Sequence, residues 1–195
     1  CKLMTYSVHQ GLLRDAGFCA SPNCDARPEG MSVDLLVIHC ISLPPGQYGG
    51  NEIEAFFTNQ LDINAHAYFA EICHLQVSSH VLIRRCGGVL QFVNFNDRAW
   101  HAGESIFEGR PRCNDFSIGI ELEGTDSTTF TDAQYRGLVE VTTAIQRAYP
   151  AITDSRITGH AQIAPGRKTD PGSGFDWKHY RTTLKQANVF PQDTL

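Results

Sequence analysis

The chain has 195 residues, of which 42% are hydrophobic and 19% charged, a composition that excludes intrinsic disorder and supplies a core for about one domain. Its 16 basic and 21 acidic residues give a net charge of −5, which argues against nucleic acid and against an anionic membrane surface as partners. The sequence also lacks the run of about 18 apolar residues that a membrane-spanning helix needs.

The first part of the chain predicts an arm, a strand and a helix. Residues 1–30 are dense in Pro, Asn, Asp and Gly and predict an N-terminal arm. VDLLVIHC at 33–40 is a short apolar, β-branched run typical of a buried strand, and 51–61 place their apolar residues on one helical stripe. The pattern is weaker at 62–78, where we expect a long loop with short helical turns. The whole of 41–78 is therefore predicted as a loop and helix segment near the cleft.

The second part alternates strands and helices. Two runs joined by Gly87-Gly88 predict a hairpin, 114–124 alternate apolar and polar residues as a strand does, and Thr131 is positioned to cap a helix that Pro150 ends. A short strand at 156–160 and a closing helix at 175–186 complete the chain. Together these elements predict a single α/β domain over 1–195, with a mixed central β-sheet flanked by helices.

Cysteine usage bears on the compartment. Seven cysteines are present, the number is odd, and no C-x-x-C pair occurs, so reduced thiols are predicted rather than a disulfide framework. The first residues lack the apolar centre of a secretory signal. Both observations predict a cytoplasmic protein.

Three residues at strand ends suggest a metal site. His39 ends one predicted strand, His160 ends another, and Asp170 closes the loop that follows His160. Two neutral imidazoles and a carboxylate are the protein ligands of many catalytic zinc sites, in which water takes the fourth position. The spacing does not match the H-E-x-x-H helix motif, so hydrogen-bonded structural histidines are the alternative.

Other side chains suggest hydrolytic chemistry beside such a site. Glu121 lies on the polar face of a predicted strand, either in solvent or in a cleft, and Lys168 is a surface lysine or a cation beside a developing oxyanion. Trp100 and His101 follow the hairpin, where an aromatic ring can cover a cleft. A cysteine nucleophile at Cys40 or Cys113 is a weaker hypothesis, because no known signature surrounds either one.

With these residues considered, the chain resembles the cytosolic 1,6-anhydro-N-acetylmuramyl-L-alanine amidases of bacterial cell-wall recycling, within the zinc amidase and peptidoglycan-recognition-protein superfamily. The resemblance extends from about residue 20 to 182. It rests on motifs in the family's order: LLVIHCISLPPG, YFAEICHL, SSHVLIRRCG, DRAWHAG, RCNDFSIGIELEGTD, FTDAQYRGL and ITGHAQIAPGRKTDPG.

The resemblance implies a zinc-dependent hydrolase that cleaves the amide between the lactyl group of (1,6-anhydro-)N-acetylmuramic acid and L-alanine of the stem peptide. It further implies that loss of the enzyme induces β-lactamase where that regulatory circuit exists. In the family, the matching residues have these roles: His39, His160 and Asp170 as zinc ligands, Glu121 as general base, Lys168 as the cation that supports the tetrahedral intermediate, Trp100 and Arg112 as lining of the muropeptide groove, and Asn114 and Ser117 as supporting residues.

Two positions depart from the family pattern. The residue after the first zinc ligand is Asn in the family and Cys40 here, and an Arg is replaced by Gln76. Both positions concern substrate contacts, so we group Cys40 and Gln76 with Trp100, His101 and Arg112 as candidate substrate-binding residues. The implied partner is a small muropeptide, with no nucleic acid, membrane or obligate protein partner. The alternative function is a catalytically weak muropeptide-binding module.

Overall fold

The computed structural model describes residues 5–189. Within that range the strands are β1 Ser7–His9, β2 Leu12–Arg14, β3 Gly17–Phe18, β4 Cys24–Ala26, β5 Leu35–Ile41, β6 Val81–Ile83, β7 Val89–Gln91, β8 Asp97–Ala99, β9 Ile106–Phe107, β10 Arg110–Pro111, β11 Ser117–Glu123 and β12 Ile157–Gly159. The helices are α1 Glu52–Phe57, α2 Ala67–Ile72, α3 Asp132–Ala148, α4 His160–Ile163 and α5 Trp177–Val189.

A six-stranded sheet in the order β12-β5-β11-β6-β7-β3 forms the centre of the fold. β5 lies parallel to both of its neighbours, β12 and β11, whereas β6 and β7 pair antiparallel through the predicted hairpin. The predicted α/β fold with a mixed central sheet is confirmed. Both faces of β5 and β11 are covered, which explains the continuous apolar run of β5, whereas β11 alternates apolar and polar residues although all of them are buried.

One face of the sheet packs on the two long helices. Apolar residues of β5, β6 and β11 contact the buried stripe of α3, and α5 packs beside α3. The predicted cap is present: the Thr131 side chain accepts from the Gln134 backbone N–H, and the Gln134 side chain accepts from the Thr131 N–H. This capping box satisfies two backbone donors at the start of α3 and fixes where the helix begins.

Three local expectations need correction. The helix predicted at 51–61 ends at Phe57, because Asn59 adopts a left-handed conformation that stops it. In its described part, residues 5–30, the predicted arm contains four short strands, of which β3 extends the central sheet and β4 pairs with β8. His160 begins helix α4 and does not end a strand.

The arm strands have only two or three residues, and β3 and β4 pair with distant partners. No local sequence pattern therefore predicts them. In the part of the chain that the structure describes, no helix is long and apolar enough to cross a membrane.

Candidate metal centre

Parallel pairing places the candidate residues at one edge of the sheet. Glu121 on β11 lies directly opposite His39 on β5, and β12 delivers His160 on the other side of β5. The carboxyl ends of parallel strands meet at the same edge, where ligands bind in open α/β sheets. A side chain on β5 or β11 faces the same way every second residue, so Glu121 shares its face with Ser117 and Gly119.

The structure brings His39, His160 and Asp170 together. His39 Nδ1 lies 3.0 Å from His160 Nδ1 and 3.0 Å from Asp170 Oδ2, and His160 Nδ1 lies 3.2 Å from the same carboxylate oxygen. The ligand atoms of the three side chains all lie within 4.8 Å of one another. Two imidazole nitrogens and a carboxylate oxygen that converge in this way form a donor set that could bind a metal ion.

The outer nitrogen of each imidazole has its own partner. His160 Nε2 lies 2.9 Å from the carbonyl oxygen of Ala102, and His39 Nε2 lies 2.9 Å from His101 Nδ1. Such contacts fix the orientation of a metal-ligating ring and select which nitrogen carries the hydrogen. The inner nitrogens of both rings are therefore directed at the shared point beside Asp170.

Charge within the cluster follows from burial and pairing. Burial disfavours ionisation of Asp170, but its contacts with His160 and His39 outweigh burial and lower the pKa of this carboxyl. Burial lowers the pKa of His39, and Asp170 only partly offsets this. An ionised carboxylate beside a neutral imidazole is the form in which these residues bind a cation.

Glu121 stands beside this cluster without joining it. The residue is buried, and its Oε2 atom is one of the few buried polar side-chain atoms within residues 5–189 that lack a hydrogen-bond partner. Burial, followed by repulsion from Asp170, raises the pKa of Glu121 well above its ordinary value, whereas Lys168 lowers it. A buried, unpartnered carboxylate whose pKa is raised is typical of a general acid or base.

A cleft of about 680 Å³ opens over these groups. Its polar wall contains the cluster, Glu121 and the exposed Lys168. A second part of the lining, the apolar wall, comes from the segment 41–78 and includes Leu43, Phe56 and Tyr68. The candidate metal ligands, Glu121 and the apolar wall thus line the same cleft.

The candidate substrate residues divide into two groups. Trp100, His101 and Cys40 line the cleft, whereas Arg112 and Gln76 are exposed and do not line it. A hydrogen bond within the protein orients Trp100: its Nε1–H donates to Asp25 Oδ1 at 3.1 Å. The substrate-binding roles of all five residues stay predictions.

Arg112 and His101 are engaged within the protein. Arg112 donates from Nε to Asp115 Oδ2 at 3.2 Å, with its side chain 79% exposed. His101 is buried, and its ring nitrogens contact His39 and Ser117, so neither nitrogen is free for substrate.

The thiols give no support to a cysteine nucleophile. Burial, followed by the hydrogen bond from Cys40 Sγ to Asp126, raises the pKa of Cys40, and burial raises the pKa of Cys113. An attacking thiolate needs the opposite shift. The sequence interpretation overlooked Asp126, which also accepts from Thr169 and so bridges two loops of the cleft. The only signal for it in the sequence is its place as the last residue of the motif RCNDFSIGIELEGTD.

The known proteins that are similar to this chain are amidases. The sequence model of the N-acetylmuramoyl-L-alanine amidase family, Amidase_2, matches residues 29–173. The 1,6-anhydro-N-acetylmuramyl-L-alanine amidase AmpD of Haemophilus influenzae is 54% identical over 178 residues, which are 91% of this chain and 97% of that protein.

Solved structures of amidases are also similar to this chain. A crystal structure of a selenomethionine derivative of AmpD, 56% identical, matches with a TM-score of 0.88 over 90% of this chain and 97% of that one. The amidase AmiD of E. coli was solved with the substrate anhydro-N-acetylmuramic acid-L-Ala-D-γ-Glu-L-Lys. It is 28% identical and matches with a TM-score of 0.58 over 93% of this chain and 66% of that one.

Proposed function

The chain belongs to the N-acetylmuramoyl-L-alanine amidase family and is an amide hydrolase, and from this premise we propose how its own residues act. The proposed reaction is hydrolysis of the amide between the lactyl group of 1,6-anhydro-N-acetylmuramic acid and L-alanine of the stem peptide. We propose that His39, His160 and Asp170 hold a zinc ion for this reaction. The proposed substrate is a small, soluble muropeptide.

One observation carries the proposal: an unpartnered, buried carboxylate lies beside a convergent His-His-Asp donor set at the floor of a cleft. The donor set fits zinc, which accepts nitrogen and oxygen ligands and in catalytic sites leaves one position open. Glu121 supplies the proton acceptor that amide hydrolysis needs, because its Oε2 atom has no competing protein partner. Neither a purely structural histidine cluster nor a solvated surface glutamate would require this combination.

The roles of the residues follow from their positions. A bound zinc ion would act as a Lewis acid, lowering the pKa of a water molecule to about 7. Glu121 accepts the proton of the attacking water and returns it to the nitrogen of the leaving amine. Lys168, exposed on the same wall, places its ammonium near the carbonyl oxygen as negative charge develops there. The apolar wall of segment 41–78 positions the substrate and restricts water.

The proposed location is the cytoplasm. Support comes from the six cysteines of residues 5–189, which are all free thiols. Cell fractionation with an antibody against this chain tests the proposal, and recovery of the protein outside the cytoplasm would contradict it.

The test of the reaction is incubation with 1,6-anhydro-N-acetylmuramyl tripeptide and, separately, with intact sacculi, followed by mass analysis. The expected products from the soluble substrate are the anhydro-sugar and a free peptide that begins with L-alanine. Stoichiometric binding without turnover would instead support the muropeptide-binding module.

The ligand assignment is tested by His160→Ala. The variant should lose most bound zinc and activity, because two remaining ligands hold the ion poorly. Zinc content by mass spectrometry and turnover rate are the measurements, with the exposed His179→Ala as control. Full zinc occupancy and a normal rate in His160→Ala would overturn the assignment.

A further inference from the structure

The loop that follows Trp100 contacts the outer nitrogen of both candidate histidine ligands. His160 Nε2 faces the carbonyl oxygen of Ala102 at 2.9 Å. A carbonyl oxygen can only accept, so His160 must carry its hydrogen on Nε2 and keep a lone pair on Nδ1. The backbone therefore fixes the tautomer of His160 without help from any side chain.

His39 is in a different position. Its Nε2 faces another imidazole, the Nδ1 atom of His101, at 2.9 Å. An imidazole nitrogen can donate or accept, so this contact alone does not decide which nitrogen of His39 carries the hydrogen. The row of contacts continues to the fully buried Ser117, whose Oγ atom lies 3.0 Å from His101 Nε2 and is able to accept a hydrogen bond from it.

The position of the His101 ring depends on Gly119 of strand β11. A Cβ atom on Gly119 would lie 2.5 Å from Cγ of His101, so only glycine leaves room for the ring. The backbone is fixed as well, because Asn114 Oδ1 accepts from the N–H groups of His101 and Ala102 at 3.2 and 2.8 Å. A neutral imidazole has one N–H and one lone pair, so the ring of His101 can accept a hydrogen bond at one nitrogen and donate one at the other.

We propose that His101 is a positioning residue for the metal centre: its Nδ1 accepts the Nε2–H of His39, while its own Nε2–H donates to Ser117. In this arrangement His39 presents the lone pair of Nδ1 to the same point as His160. The proposal rests on the proposed metal function, and it reassigns His101 from substrate binding to orientation of a ligand. Gly119 contributes to the same arrangement, because its lack of a side chain leaves the space that the His101 ring occupies.

Zinc affinity tests the proposal directly. The dissociation constant for zinc alone is measured by competition with a chromophoric chelator, and the unfolding temperature of the metal-free protein is measured alongside. His101→Leu removes the acceptor and should weaken zinc binding about 10- to 100-fold, the range for loss of an outer partner of a metal ligand. His101→Asn keeps an acceptor at the position of Nδ1 and should restore affinity to within about threefold of the parent.

Ser117→Ala extends the test to the far end of the chain of hydrogen bonds. It should weaken zinc binding by about 10-fold, because the Nε2–H of His101 would lose its buried acceptor. Ser79→Ala is the matched control: Ser79 is equally buried, and its hydroxyl donates to the Gly119 carbonyl and not to His101. Its zinc affinity should equal that of the parent.

The outcomes separate this inference from the proposed function. Parent-like zinc affinity in both His101→Leu and Ser117→Ala would overturn the inference while leaving the metal function intact. Equal weakening in His101→Leu and His101→Asn would also overturn it, since packing alone would then explain the effect. If the parent protein itself binds no zinc, the proposed metal function fails, and the role of His101 fails with it.

Discussion

Glu121 and Glu123 face the same side of β11, two residues apart, yet their surroundings differ. The Oε2 atom of Glu121 has no hydrogen-bond partner, whereas Glu123 accepts from the backbone N–H groups of Gly49 and Arg85 at 2.7 and 3.0 Å. The alternation of apolar and polar residues along β11 does not distinguish the two carboxylates. Their contacts support the proposed role of Glu121 in proton transfer and indicate a structural role for Glu123.

Glu121→Gln tests the first role. The amide has the same shape but cannot take a proton, so the rate should fall about 10²- to 10⁴-fold, the usual contribution of a positioned general base. Zinc content should stay at the parental level, because Glu121 lies outside the ligand set. Since burial disfavours the charged form of Glu121, the metal-free variant should be at least as stable as the parent.

Turnover, zinc content and chemical denaturation are the measurements for this substitution. Loss of zinc would move Glu121 into the ligand set, and a near-normal rate would assign the proton to another group. Glu123→Gln is the matched comparison on the same strand face. It should change stability more than rate.

At the scale of elements, Glu123 and Arg84 attach the segment before α1 to the end of β11. Arg84 donates to the Gly50 carbonyl at 2.9 Å and pairs with both Glu123 and Glu54. Glu123 itself is only 2% exposed. The start of the 41–78 segment, which forms the apolar wall of the cleft, is thus held by one buried carboxylate and its partners.

Glu123→Ala should therefore lower the free energy of unfolding by about 3 kcal/mol, the lower end of the cost of removing one partner from a buried ion pair. The lower end applies because Arg84 keeps Glu54 as a partner. The Michaelis constant should rise as the wall loosens. Urea denaturation and steady-state kinetics measure both effects, and parental stability would contradict the assignment.

For the molecule as a whole, His80, a buried histidine outside the candidate metal centre, makes stability depend on pH. His80 Nδ1 accepts from the Gly119 N–H at 3.1 Å, and Nε2 lies 2.9 Å from the Asp97 carbonyl oxygen. Burial and the nearby Arg27 lower the pKa of His80 from 6.5 to about 3. Because the unfolded chain binds this proton and the folded protein does not, stability present above pH 6.5 is lost progressively as the pH falls toward 3.

Between pH 7 and pH 5 this group should cost the metal-free protein about 2 kcal/mol. His80→Asn keeps an acceptor for the Gly119 N–H and removes the titrating ring, so its unfolding free energy should fall by about 2 kcal/mol less over the same interval. The exposed His74→Asn should follow the parent. Urea denaturation in the presence of a chelator measures all three, and an unchanged pH dependence in His80→Asn would contradict the assignment.

The sequence by itself determined the α/β class, the mixed sheet and its main strands. β5 is a continuous apolar run because both of its faces are buried, and β11 shows the period-2 alternation of a strand. Thr131 shows the start of α3 because capping is a local interaction. It also supplied His39, His160, Asp170, Glu121 and Lys168 as candidates, through residue chemistry and family motifs.

Tertiary structure alone decided what surrounds those residues. Strands β3 and β4 of the arm exist only through pairing with distant segments, and Gln76 and Arg112 are exposed outside the cleft lining. His101 looks like a substrate contact in the sequence, but the space left by Gly119 admits its ring between His39 and Ser117. The chemistry of a side chain is set by its residue type, whereas its burial and its hydrogen-bond partners depend on residues brought together from far along the chain.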